Sequence, residues 1–169
     1  YDVSNSSSGI FALSGAYGFG GYGAYATPPF NTLSPAYQSL LTHGTYGSGA
    51  SVMTLTISAL TVGKHYQFQW WANDSRASYV PQIVGATAGN TVTLNADTTD
   101  TSGGTGQYVI GTFVADAATQ NIDFQGTSNG TLENALQLRD ISNIGSGGPT
   151  ITTIRILNRT NVTLTAIGG

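Results

Sequence analysis

The sequence has no cysteine, one methionine and a single glutamate, Glu133, and only 8% of its 169 residues are charged, against about a quarter in an average soluble domain. Without cysteine there are no disulfides, no thiolate nucleophiles and no sulfur-ligated metals, so the fold must hold by core burial and sheet hydrogen bonds. Five dispersed cations (Lys64, Arg76, Arg139, Arg155, Arg159) in a chain of net charge −3 cannot neutralise a run of phosphates, which excludes nucleic acid and anionic membrane surfaces as partners. No apolar stretch approaches the roughly 18–20 residues that span a bilayer, so no membrane insertion is expected. The opening residues lack the basic and apolar layout of a signal peptide, and an exported protein is therefore expected here in mature form.

What is present is small and polar. Thr (24), Gly (23), Ser (16) and Asn (11) together make 74 of the 169 residues, so the surface is wetted by hydroxyls, amides and bare backbone. Such a surface suits a secreted or cell-surface location. Hydrophobic residues at 40% suffice for a packed core, whereas a disordered chain pairs low apolarity with high net charge. One folded domain, 1–169, is the expectation.

The period of the pattern changes along the chain. Residues 1–32 are a Gly/Ser/Tyr-rich opening with short strands at 1–3 and 10–13, and the run 15–25 alternates tiny residues with aromatics, predicting an irregular loop whose rings cover the edge of a core. Ser34 and Pro35 read as N-cap and first helical position. Tyr37, Leu40 and Leu41 share a face, and Gly44 stands where a C-terminal cap belongs, giving a two-turn helix. From residue 51 the period is two: Met53, Leu55 and Ile57 alternate with Thr, and Tyr66, Phe68, Trp70 and Ala72 alternate with polar residues after a tight turn at 61–64. Further strands are predicted at 79–84, 91–96, 107–115, 120–125, 136–142, 150–157 and 162–167. Many short strands separated by Gly, Asn and Asp, with one short helix, predict an all-β, antiparallel two-sheet β-sandwich of jelly-roll type. Thr-rich sheet edges lack the Lys and Glu that deter pairing with another chain, so the opening segment and the C-terminal strands 150–169 are candidates for inter-subunit contacts.

Catalytic chemistry is poorly provided for, and no enzyme is expected. His43 ends the short helix and His65 begins a strand, neither in a nucleophile motif. A glycosidase needs two carboxylates flanking the scissile bond, yet the chain has one glutamate, and Asp116 and Asp123 sit about a predicted turn at 117–120. The loop Asn95-Ala96-Asp97-Thr98-Thr99-Asp100 offers Asp97 and Asp100 as part of a structural Ca²⁺ shell, although aspartates in such loops are also plain turn formers. Five N-x-Ser/Thr tripeptides, at Asn5, Asn73, Asn129, Asn158 and Asn161, are glycan acceptors in an exported eukaryotic or archaeal protein.

The richest cluster runs from Trp70 to Tyr79. If Trp70 points inward, strand alternation turns Trp71 outward, and beyond it Asn73, Asp74, Arg76 and Tyr79 bring an amide, a carboxylate, a guanidinium and a phenol within ten residues. Flat rings stack on the C–H faces of sugars while planar polar groups bond their hydroxyls. The plainer reading of the same residues is a turn, with Arg76 paired to Asp74 and Trp71 packed under the Gly/Tyr segment.

The stretch Leu60-Thr61-Val62-Gly63-Lys64-His65-Tyr66-Gln67-Phe68-Gln69-Trp70-Trp71-Ala72-Asn73-Asp74-Ser75-Arg76, continued by Gly106-Gln107-Tyr108-Val109-Ile110-Gly111-Thr112-Phe113-Val114-Ala115-Asp116 and Asn134-Ala135-Leu136-Gln137-Leu138-Arg139-Asp140, resembles a family of exported β-sandwich modules of planctomycete- and verrucomicrobia-type bacteria. These look like galactose-binding-like, carbohydrate-binding jelly rolls. The resemblance covers about residues 50–142 and implies fold and a sugar-binding role, with no catalytic residue carried over. Two functions follow as expectations. One is a non-catalytic extracellular module that binds polysaccharide or other glycans and mediates adhesion. The other is a structural subunit of a fibre, layer or matrix that self-assembles as a filament by strand addition between copies.

Overall fold

Alternation is realised strand by strand, and it decides what the core contains. In the computed structural model, which describes residues 9–22, 26–76, 82–86, 92–127, 130–143 and 155–158, the strands β1 (Phe11–Ser14), β2 (Gly18–Gly21), β3 (His43–Gly47), β4 (Val52–Ile57), β5 (His65–Ala72), β6 (Gln82–Ala86), β7 (Val92–Asn95), β8 (Gln107–Val114), β9 (Gln120–Gly126), β10 (Thr131–Glu133), β11 (Ala135–Asp140) and β12 (Arg155–Asn158) follow in order. Helix α1 (Pro35–Thr42) lies between β2 and β3. A five-stranded sheet, β1-β4-β9-β6-β7, and a four-stranded sheet, β11-β5-β8-β12, are antiparallel throughout, and a smaller sheet has the order β10-β3-β2. The all-β antiparallel sandwich with one short helix is therefore observed, with the three-stranded sheet as an addition.

The core lies between the two larger sheets. β4 buries Met53, Leu55 and Ile57, β5 buries Tyr66, Phe68, Trp70 and Ala72, and β9 buries Ile122 and Phe124. At its centre the Trp70 indole stacks on Phe124 across the sandwich, ring centroids 3.7 Å apart at 22°. The indole N–H donates to the Leu132 carbonyl of β10 at 3.0 Å, so one side chain ties together all three sheets. The polar positions of β4 bond laterally: the Thr54 hydroxyl donates to Asp123 (2.6 Å) and that of Thr56 to Asn121 (2.9 Å), each directly opposite on β9. These pairs take the place that charged ladders fill in other sheets.

Several local expectations are corrected. The 61–64 turn forms, with Lys64 N–H donating to the Thr61 carbonyl at 3.1 Å, but β4 and β5 belong to opposite sheets, so the turn is a corner between layers and not a hairpin. The same holds at 115–119: β8 and β9 lie in different sheets, and Asp123 faces Thr54 instead of Asp116. Within 15–25, residues 18–21 are a strand and not a loop, because their backbone pairs with β3 in the register Gly18↔Tyr46 to Gly21↔His43. Gly44 is not a helix cap. The helix ends at Thr42, His43 turns extended, and Gly44 lies inside β3, where a Cβ would come within 2.5 Å of the Glu133 carbonyl. Ser34 does cap α1, accepting from Tyr37 N–H. The strands predicted at 1–3 and 162–167 lie outside the described residues.

On the exposed margin, Lys64 on the approach to β5 pairs with Asp140 at the end of β11, N···O 2.6 Å. The hydrogen bond from Lys64, then those from Ser142, hold the Asp140 carboxyl well below the usual carboxylate range, and the Asp140 bond raises the Lys64 amine. A depressed folded carboxyl pKa contributes stability that is present above the unfolded value and fades as pH falls through the folded one. Both groups are solvated, so salt screens the pair. Acid denaturation curves of wild type and Asp140→Asn should therefore converge at low pH and at high ionic strength.

The Trp70 and Phe124 stack makes a sharper prediction. Phe124→Ala removes one face of the sandwich contact and should lower the unfolding free energy by about 3–5 kcal/mol, read by urea denaturation followed through tryptophan fluorescence.

Candidate functional site

With Trp70 fixed inward, its neighbour Trp71 is on the outer face of β5. It is half-buried, donates its indole N–H to the Tyr37 hydroxyl of α1 at 3.2 Å and lies 6.0 Å from Tyr108. The helix thus engages Trp71, so its ring is only partly open to solvent.

Beyond β5 the chain leaves the sheet, and residues 73–75 turn inward. Asn73 is fully buried: its backbone N–H donates to the Asn134 side-chain oxygen (2.6 Å), its side-chain oxygen accepts from Gly106 N–H (2.9 Å), and its amide nitrogen donates to the Ser75 hydroxyl (3.0 Å). Ser75 N–H donates to the Tyr22 carbonyl and the Ser75 carbonyl accepts from Gly103 N–H. Every polar group of this segment needs a partner because water is excluded, and with Asp74 N–H donating to the Ala96 carbonyl the partners come from four separate parts of the chain.

Asp74 and Arg76 form the part that reaches solvent. The Asp74 side chain is 1% exposed and that of Arg76 39%. Asp74 Oδ1 accepts from Arg76 Nε (2.9 Å) and from the Arg76 backbone N–H (3.1 Å), while Oδ2 accepts from Nη2 (2.7 Å). A two-point fork of this kind fixes the guanidinium plane as well as its position. The guanidinium carbon also sits 4.8 Å from the Tyr22 ring centroid, within cation–π range. The cluster read from the sequence therefore divides in two. Arg76 and Trp71 are accessible in part, Asn73 and Asp74 are buried in the loop with Asp74 holding Arg76, and Tyr79 lies outside the described residues.

Tyr22 continues the aromatic arrangement. It is buried and meets Tyr46 edge-on at 6.0 Å, and Tyr46 meets Tyr17 at 5.6 Å and 54°. Tyr17 is 72% exposed. On β2 a Cβ at Gly18 would come within 3.1 Å of the Tyr46 ring and one at Gly20 within 2.7 Å of the Tyr22 hydroxyl. The glycines between the tyrosines are there to leave room for rings, and the expected role of closing the core edge falls to Tyr22 and Tyr46.

Sequence reasoning missed one organising residue. Asn134, 3% exposed, separates β10 from β11, and its side-chain amide donates toward the carbonyls of Leu41, His43 and Asn73 at 3.0–3.2 Å. It joins the α1–β3 junction to the 73–76 loop. Its signal was a lone amide between two apolar strand runs, Leu132 and Ala135-Leu136, where strands disfavour Asn.

The remaining candidates lie on other parts of the chain. Asp97 is buried and its Oδ1 accepts from Thr99 N–H, the Thr99 hydroxyl and Asp100 N–H at 2.9–3.0 Å. Its carboxyl is pressed on Gly104, where a Cβ would collide with it. Asp100 meets Asp97 through its backbone, at φ +52°. Asp97 caps this loop through Oδ1, and among the described residues no group of three or more His, Cys, Asp or Glu gathers to hold an ion. Glu133 is sealed inside on β10, whereas Asp116 and Asp123 are exposed on separate elements.

No family model matches the chain, and no curated protein matches it. Among solved structures, one similar chain is described as Xyl-CBM35 in complex with a glucuronic acid containing disaccharide. It is 16% identical, with a TM-score of 0.37, over 89% of this chain and 99% of that one. No helix among the described residues is long and apolar enough to cross a membrane.

Asn134→Ala leaves the Asn73 N–H without its acceptor and three carbonyls without a donor. The variant should lose at least about 1–3 kcal/mol of stability and show faster amide exchange at Asn73 and Ser75, measured by urea unfolding and hydrogen exchange.

Proposed function

We propose that this chain is a non-catalytic carbohydrate-binding module acting outside the cell, with its binding surface around the 73–76 loop. The observation that carries the reading is the Arg76 guanidinium, 39% exposed at its side chain, held in a fixed plane by a fully buried carboxylate and backed by the Tyr22 ring. A surface arginine ordinarily keeps its rotamer freedom, and ordering it costs entropy when a ligand arrives. Here that ordering is complete before binding. Vicinal sugar hydroxyls match a fixed planar donor, and aromatic faces beside it take the C–H side of the ring. Trp71 supplies the partly open ring before the loop, and Tyr79, which lies outside the described residues, enters the reading from the sequence alone. Asn73 and Asp74 act from below by holding the loop.

Assembly by strand addition has no comparable observation behind it. The described parts of the two ends, β1 and β12, pair with β4 and β8 of their own chain.

The test is affinity electrophoresis of the whole chain through gels containing xylan, galactomannan, arabinogalactan or hydroxyethylcellulose, followed by calorimetry on whichever retards it. Arg76→Lys keeps a charge beside Asp74 but loses the fork, so it should fold and bind about tenfold more weakly, the scale of one charge-assisted hydrogen bond. Unretarded migration in every gel rules the reading out.

A further inference from the structure

Asp97 has one carboxylate oxygen provided for and one left bare. Oδ1 accepts from the Thr99 N–H, the Thr99 hydroxyl and the Asp100 N–H at 2.9–3.0 Å, whereas Oδ2 is buried and accepts from nothing. The residue is 1% exposed. Asp74 is buried to the same degree, and there both oxygens meet Arg76. No cationic side chain reaches Asp97 among the described residues: Lys64 and Arg76 are committed to Asp140 and Asp74. A buried carboxylate is sustained by a charged partner or by a metal ion. Protonation does not repair the fault, because Oδ2 then becomes a hydroxyl donor with no acceptor.

The surroundings of this oxygen are rich in other oxygens and free of base. From Asn95 to Gln107 the chain has no Lys, Arg or His. The Asn95 side-chain oxygen accepts from the Asp97 N–H at 3.1 Å, and the Thr99 and Thr101 hydroxyls lie 2.9 Å apart. On the other side Gly104 keeps a space that a side chain would close, since a Cβ there would stand 2.5 Å from Oδ2. Carboxylate, amide and hydroxyl oxygens are the ligands of hard cations, and Ca²⁺ accepts them in irregular geometry where Mg²⁺ demands an octahedron. No group of three His, Cys, Asp or Glu forms among the described residues, so the ligand set is low in charge. That composition belongs to the weak end of Ca²⁺ affinity, a Kd of about 10⁻⁴–10⁻³ M.

We propose that Asp97 Oδ2 anchors a Ca²⁺ ion in the 95–104 loop, with neutral oxygens of the same loop completing its shell. The position has a consequence for the neighbouring loop. The Ala96 carbonyl accepts from the Asp74 N–H at 2.8 Å, and the Gly103 N–H donates to the Ser75 carbonyl at 2.8 Å. An ion that fixes 95–104 thereby braces 73–76 from two sides. The site does not depend on the carbohydrate-binding reading and is tested without a sugar.

The experiment strips the whole chain with EDTA, dialyses it and titrates CaCl₂ and, separately, MgCl₂ by calorimetry, with urea unfolding at each concentration. One Ca²⁺ per chain should bind in the range given above, and Ca²⁺ at ten times its Kd should raise the folded-to-unfolded ratio about elevenfold. Mg²⁺ should bind more weakly. Asp97→Asn keeps the size of the side chain and an acceptor for Thr99 and Asp100 but removes the charge, so both Ca²⁺ responses should vanish. Should that variant fail to fold, ¹⁵N spectra of the wild type decide, where the shifts induced by Ca²⁺ should be largest at Thr99, Asp100 and Gly103. No heat and no change in midpoint up to about 10 mM Ca²⁺, ten times the upper Kd, would mean that Oδ2 holds an ordered water, and overturns the site. So does a Ca²⁺ response that persists in Asp97→Asn, that Mg²⁺ matches, or whose spectral shifts centre elsewhere. Each of these results leaves the carbohydrate-binding reading as it is.

Discussion

The contact on which the rest depends is the Trp70 indole lying flat on Phe124, with its N–H on the Leu132 carbonyl. A sandwich without disulfides needs its two layers registered by side chains alone, and a stacked pair of large rings specifies both separation and lateral position. The N–H adds direction, because a buried indole donor left unpaired is costly. It therefore selects where β10 runs, and through β10 it places the three-stranded sheet against the sandwich.

That constraint extends outward through the chain's own periodicity. Once Trp70 is inside, Trp71 is outside, and the strand ends where Asn73 dives back under Asn134 and Gly106. Asn134 then gathers three carbonyls from α1, β3 and the loop. The loop is held by polar groups in a buried setting, where each bond is stronger than in water and each missing one dearer. Arg76 inherits this rigidity through Asp74. Position is thus handed from a core contact to a surface guanidinium through a short series of named hydrogen bonds.

How much of this was legible follows from what periodicity encodes. An alternating run reports which side chains face inward, so Met53, Leu55, Ile57, Tyr66, Phe68 and Trp70 were readable as core, and Ser34-Pro35 was readable as a helix start. A period of two says nothing about which strand is the neighbour. The turns predicted at 61–64 and 117–120 therefore read as joining neighbouring strands, although each carries the chain from one sheet to the other. β2 was illegible because glycine carries no side-chain pattern. Its pairing with β3 comes from backbone bonds and from the room its glycines leave for Tyr22 and Tyr46. At the site, the residue types at 71–76 were readable as a flat ring followed by planar polar groups, the chemistry expected to grip a sugar. The division of labour was not, because an Asn or Asp in a polar stretch reads the same whether it faces water or is buried under the loop.

The scarcity of charge and the fixed Arg76 guanidinium have a common physical logic. A charged surface gains encounter rate by long-range attraction and loses it with salt. A surface of hydroxyls and rings has no such attraction, so in the proposed reading its affinity comes from short-range contacts whose ordering is complete before the ligand arrives. The Asp74 fork, the Tyr22 ring under Arg76 and the glycines that admit Tyr46 and Tyr22 each remove a freedom that binding would otherwise have to freeze. Arg76 is neutralised by its own support, so it offers geometry without net charge. A neutral ligand is the kind that loses nothing by that arrangement, whereas an anionic one must compete with a carboxylate that is already in place and buried.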